Sequence, residues 1–137
     1  MRSIFIVVAI SIGVRTARAQ IPDRARDSCI VDSQQAARAD SLIVDAGEAA
    51  EGSGRPPKAL QRYVFSRLRM AVQLAPLDDH HWAMIRQLSL FLDRPDSAVG
   101  LAHFALARWP ACTNARAALA KAESTAARAH GHERRPN

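Results

Sequence analysis

Proline punctuates this chain and limits what it can become. Between residues 32 and 128 the sequence is interrupted at Pro56-Pro57, Pro76, Pro95 and Pro110. Proline lacks an amide donor and its ring clashes with the preceding turn, so a helix cannot pass through it undisturbed. The breaks leave five segments. In the first, Ala39, Leu42, Ile43, Ala46 and Ala50 recur at three- and four-residue spacing. Leu60, Val64, Leu68, Ala71, Val72 and Ala75 do so in the second, and Trp82, Ile85, Leu88 and Leu92 in the third. That period is helical. No segment alternates apolar and polar residues as a half-buried strand would. The expected fold class is all-α, with helices over about 32–51, 58–75, 79–92, 95–109 and 113–128. Asp32 or Ser33, Asp78 or Asp79, Asp93, and Thr113 are the expected caps, since a short side-chain oxygen can accept from a free first-turn amide. The fifth helix is alanine-rich, with Ala117, Ala118, Ala120, Ala122, Ala126, Ala127 and only Leu119 as a large apolar residue. It is the least stable element by this reading.

The first nineteen residues are of another kind. Arg2 precedes the apolar run Ile4–Ile10, which extends to Val14, and Ala17-x-Ala19 follows. A basic start, a short apolar stretch and a small-x-small site are the parts of a secretory signal peptide. The run is short for a membrane span, which needs about 20 apolar residues, and Arg15 and Arg18 close it early. The organisation expected is therefore a signal peptide over 1–19, a flexible lead segment over 20–31, a helical domain over 32–129 and a disordered tail over 130–137. The protein is expected to be periplasmic or extracellular, with no stable membrane insertion after cleavage. Loss of Arg2, Arg15 and Arg18 with the peptide halves the formal charge of +6, so nucleic acid is not an expected partner. Cys29 and Cys112 are the only cysteines. In an oxidising compartment such a pair suggests one disulfide; two unpaired thiols are the alternative.

A longer period overlies the helical one. Pro76 and Pro110 are 34 residues apart, and the same offset relates Ala71 to Ala105, Val64 to Ala98 and Ile85 to Leu119. A recurrence of this length belongs to stacked helix pairs. The segment from Asp79 to Pro110 resembles a tetratricopeptide repeat: Trp82 takes the tryptophan position, Ile85 the leucine, Ala98 and Ala105 the small positions, and Pro110 closes the unit. Arg86, Ser89 and Ala102 replace the glycine, tyrosine and phenylalanine of that pattern. The resemblance implies a short right-handed stack of antiparallel helix pairs, an α-solenoid of about five helices. It implies a groove lined by the first helix of each pair, holding a protein or peptide partner without catalysis. By that resemblance the groove side would carry His80, Ala83, Gln87, Leu90 and Phe91 on the third helix, and Asn114, Ala117 and Lys121 on the fifth. Phe91 packing against the first helix is the plainer alternative.

The remaining chemistry is sparse. Asp78-Asp79-His80-His81 is a cluster of potential metal ligands, but no spaced Cys or His pattern completes a four-ligand zinc set. A capped helix start accounts for the same residues. A small extracytoplasmic metal-dependent protein or enzyme built on Asp78–His81 is the alternative function. No cofactor is expected, and no nucleophile motif or phosphate-binding glycine loop occurs. Arg62, Arg67, Arg69 and Arg86 are candidate cations for an acidic lipid, glycan or protein segment, or form an ordinary solvated face.

Overall fold

Each helix starts and stops for a local reason. The computed structural model describes Cys29 and residues 32–52 and 54–134. The expected signal peptide, the lead segment apart from Cys29, and residues 135–137 lie outside them. Helix α1 (Ser33–Gly52) is capped by Asp32, whose Oδ1 accepts from Gln34 N at 2.7 Å and Gln35 N at 3.4 Å. Helix α2 (Pro57–Leu74) opens with proline at its first position and ends as Ala75 turns extended before Pro76. Helix α3 (Asp79–Phe91) is capped by Asp78 Oδ1, which accepts from His81 N at 2.8 Å.

Two expected caps are corrected. Asp93 does not cap helix α4 (Pro95–Arg108), whose N-cap is Arg94 with no side-chain bond. Asp93 instead ends α3 in the left-handed region, at φ 55°. Its amide donates to Leu90 O at 3.0 Å and that of Arg94 to Ser89 O at 2.8 Å, the paired bonds of a Schellman ending. Aspartate tolerates that conformation better than most non-glycine residues. Thr113 is likewise the first residue of helix α5 (Thr113–Glu133) rather than its cap; Cys112 holds that place and makes no side-chain cap bond. Helix α5 also runs on to Glu133 instead of fading around Arg128.

The helices lie in two rows. Helix α3 packs beside α1 and α5 in one row, and α2 beside α4 in the other. The most extensive packing across the rows joins α1 to α2 and α4 to α5, with α3–α4 less extensive. Among the described residues all regular structure is helical, and no helix is long and apolar enough to cross a membrane.

The core between the rows is built on Trp82, Ile43, Leu68, Ile85, Val64 and Val72. Alanines fill the rest: Ala39, Ala46, Ala71, Ala98, Ala102 and Ala105 are all buried, and α5 buries Ala115, Ala118, Ala122 and Ala126. Small side chains let helix axes approach toward the lower end of about 8–10 Å. Within α3, Ser89 is fully buried and Leu88 only partly so; the Ser89 hydroxyl is satisfied by donating to Ile85 O at 2.8 Å.

Side chains close gaps that the prolines and helix ends leave. The carbonyl of Val72 would accept from the amide four residues on, but residue 76 is proline. Trp109 Nε1 supplies the missing donor to Val72 O at 3.0 Å. Gln61 Nε2 donates to Leu92 O, at the end of α3, at 2.8 Å. By contrast, Trp82 Nε1 is buried without a hydrogen-bond partner among the described residues.

Cys29 and Cys112 form a disulfide, with Cα atoms 5.0 Å apart. The bond fastens Cys29 to the start of α5. Cys29, Leu77, Asp78, His81 and Asn114 line one small hollow there, beside the beginning of α3.

Candidate functional site

The residues expected to line a groove divide among several places. Gln87 and Phe91 share a shallow depression of about 260 Å³ between α1 and α3, with Gly47, Glu51 and Met84. Lys121 lies in another, between α3 and α5, beside Arg86 and Arg128. Asn114 belongs to the hollow beneath Cys29. His80 and Leu90 are exposed near opposite ends of α3. Gln87 and Phe91 are therefore brought together, and Lys121 and Asn114 lie in separate hollows. Phe91 remains 68% exposed and Leu90 46%, so neither is absorbed by packing against α1. Ala83 is half-buried and Ala117 exposed.

The Asp78–His81 cluster is engaged in structure. Asp78 Oδ1 caps α3, and it also lies 3.0 Å from His81 Nδ1. That contact is a close approach rather than a hydrogen bond, because His81 Nδ1 has no partner of acceptable geometry. His81 Nε2 meets Asp40 Oδ1 of α1 at 2.8 Å. Among the described residues no three His, Cys, Asp or Glu side chains are arranged to hold a metal ion.

A larger groove lies in the other row. It runs, open to solvent, between α2 and α4, with a volume of about 850 Å³. Phe65, Leu101 and Phe104 supply its apolar lining, and Lys58, Arg62, Arg69 and Arg94 its charge; among the described residues no carboxylate lines it. Along α2 the positions 58, 62, 65 and 69 recur at four-, three- and four-residue steps, which places them on one helix face. On α4 the residues 94, 97, 101 and 104 form the facing stripe. Gln61 meets Leu92 at one end of the groove, and the Arg69 guanidinium lies over the Phe104 ring, 4.8 Å from its centroid, toward the other.

This groove re-sorts the arginines singled out from the sequence. Arg62 and Arg69 belong to it, whereas Arg67 pairs with Asp45 at 3.2 Å and Arg86 faces α5. Tyr63 donates to the same Asp45 carboxylate at 2.7 Å. Lys58 and Arg94 enter the groove from the helix starts. The spacing of Arg62 and Arg69 along α2 is visible in the sequence, whereas their facing Arg94 and Phe104 of the α4 side depends on distance in space.

No protein-family model matches the chain, and no curated protein or solved structure is significantly similar to it.

Proposed function

We propose that this chain is an exported, non-catalytic helical module of the tetratricopeptide-like kind, which binds a protein or peptide partner on its outer helix faces. The observation that carries the reading is the alternation of the helices: α1, α3 and α5 in one row, α2 and α4 in the other. Successive helix pairs of a stack lie in this way, each covering an apolar face its neighbour cannot bury alone. The 34-residue offset agrees with it, since the related alanines Ala71 and Ala105 are both buried. Ser89, buried where the repeat pattern has tyrosine, makes the stack a diverged one. The disulfide fits an oxidising compartment, and export rests on Arg2, the Ile4–Val14 run and Ala17-x-Ala19.

Two measurements test the proposal. The intact mass of the exported protein should place its N-terminus at Gln20; a full-length chain retained in the cytoplasm removes the export claim. Photocrosslinking amino acids at positions 87, 91 and 121 should each give a discrete protein adduct in the exported fraction. If all three give only the diffuse background seen at a buried position, the interaction reading is wrong.

A further inference from the structure

We infer that the groove between α2 and α4 binds an acidic peptide segment of a partner protein, with apolar side chains set between its carboxylates. The inference rests on the interaction-module reading and specifies what one face of the module recognises.

Among the described residues nothing balances the charge of the groove. Lys58, Arg62, Arg69 and Arg94 line it without a carboxylate, and none of the four forms an ion pair among the described residues. Arg67, five residues from Arg62 and so about 140° around α2, pairs with Asp45. Asp45 thus serves the neighbouring face, and no described acid serves this one. Like charges gathered on low-dielectric walls focus a field that an anionic ligand relieves.

The spacing selects the ligand. From Lys58 to Arg69 the stripe rises about 16 Å along the helix, too far for one phosphate or carboxylate to span. Three cations, Lys58, Arg62 and Arg94, cluster near the helix starts, and Arg69 stands at the far end. Between them lie Phe65, Leu101 and Phe104. A segment with acidic residues separated by apolar anchors matches charge to charge and anchor to floor. A planar membrane surface would meet the exposed cations and leave the half-buried rings largely unused. Arginine lying on Phe104 keeps its guanidinium edge open for a carboxylate.

Gly100 offers a clean probe. It lines the groove, and a Cβ built there meets nothing within 4 Å. Gly100→Trp therefore fills the groove from a position outside the core.

The test uses the purified, oxidised protein and a fluorescent peptide of Glu-Glu-Leu-Phe-Glu-Glu repeats, read by anisotropy. Saturable binding is expected, weakening about tenfold or more in Arg62→Glu and Arg69→Glu, where the like charge repels the ligand. Gly100→Trp should weaken it comparably with helical circular dichroism unchanged. Arg128→Glu, the same charge change on α5, should alter it less than about twofold once salt screens distant charges. A peptide with lysine in place of glutamate should not bind. Equal loss in Arg128→Glu, equal binding of the lysine peptide, or binding to phosphatidylglycerol vesicles without binding to the peptide each overturns the inference. Adducts at positions 87 and 91 are on the opposite row, so this site and the wider reading fail independently.

Discussion

The two tryptophans should respond to the same substitution in the reverse order of their burial. Trp82 is 2% exposed and Trp109 only part-buried, so burial alone predicts that Trp82→Phe costs more. Their indole N–H groups argue the opposite. Trp82 Nε1 is buried with no acceptor among the described residues, a situation that costs roughly 1–3 kcal/mol of unrecovered desolvation. Replacing it with phenylalanine loses about 1 kcal/mol of apolar contact, plus a small cavity term, and removes the orphan donor. The net change should fall within about 1 kcal/mol of zero. Trp109→Phe loses a made bond and strands the Val72 carbonyl, which Pro76 cannot serve. That leaves a buried acceptor unpaired at a cost of roughly 1–3 kcal/mol, on top of the smaller packing loss. Urea unfolding followed by helical circular dichroism reads both differences. If Trp82→Phe is the more destabilising by 1 kcal/mol or more, hydrogen-bond satisfaction is not what separates the two sites. Trp82→Ala, which empties the centre of the core, should still cost about 3–5 kcal/mol.

Other outcomes follow from packing and chain entropy. Gly100→Ala should stabilise the protein by about 0.5–1 kcal/mol in the same urea titration, because a helix-interior glycine gives way to the best helix former in open space. Ala98→Leu and Ala105→Leu should each cost about 1–3 kcal/mol through overpacking, against less than about 0.5 kcal/mol for Arg128→Ala; equal effects would mean the two alanines do not sit at close helix contacts. Replacing Cys29 and Cys112 together by alanine should cost about 4–5 kcal/mol in the chain-entropy account of a loop this long, and thiol labelling of the denatured, unreduced protein should modify neither cysteine.

Much of the fold was legible because its boundaries are chemical. Pro57, Pro76, Pro95 and Pro110 stop or start helices wherever they occur, and the apolar positions between them repeat at the helical period. The pairing of Cys29 with Cys112 was an expectation from cysteine number and from the export that the first nineteen residues imply, with two unpaired thiols as the alternative. What could not be read depends on distance in space or on backbone angle. Asp93 as cap or terminator is decided by a φ of 55°, which no residue pattern states. The last turns of α5 lack large apolar residues, but His130 Nε2 lies 3.1 Å from Asp96 Oδ2 of α4, a contact between residues far apart in sequence. The α2–α4 groove is hidden for the same reason: each helix contributes half a stripe, and half of a basic stripe resembles any solvated helix face.

The disulfide has a consequence for how the protein comes apart. A row of helices usually opens from its ends, where a terminal helix has one neighbour instead of two. Here the ends of the row are fastened: Cys29 precedes α1 and Cys112 immediately precedes α5. Four of the five helices lie inside the closed covalent loop, and the fifth is pinned at its first turn. The array behaves as a clasped band rather than an open zipper. Fraying is left to the unclasped C-terminal half of α5, so amide exchange should quicken gradually from Ala115 toward Glu133 while α1 and α2 exchange as one cooperative unit.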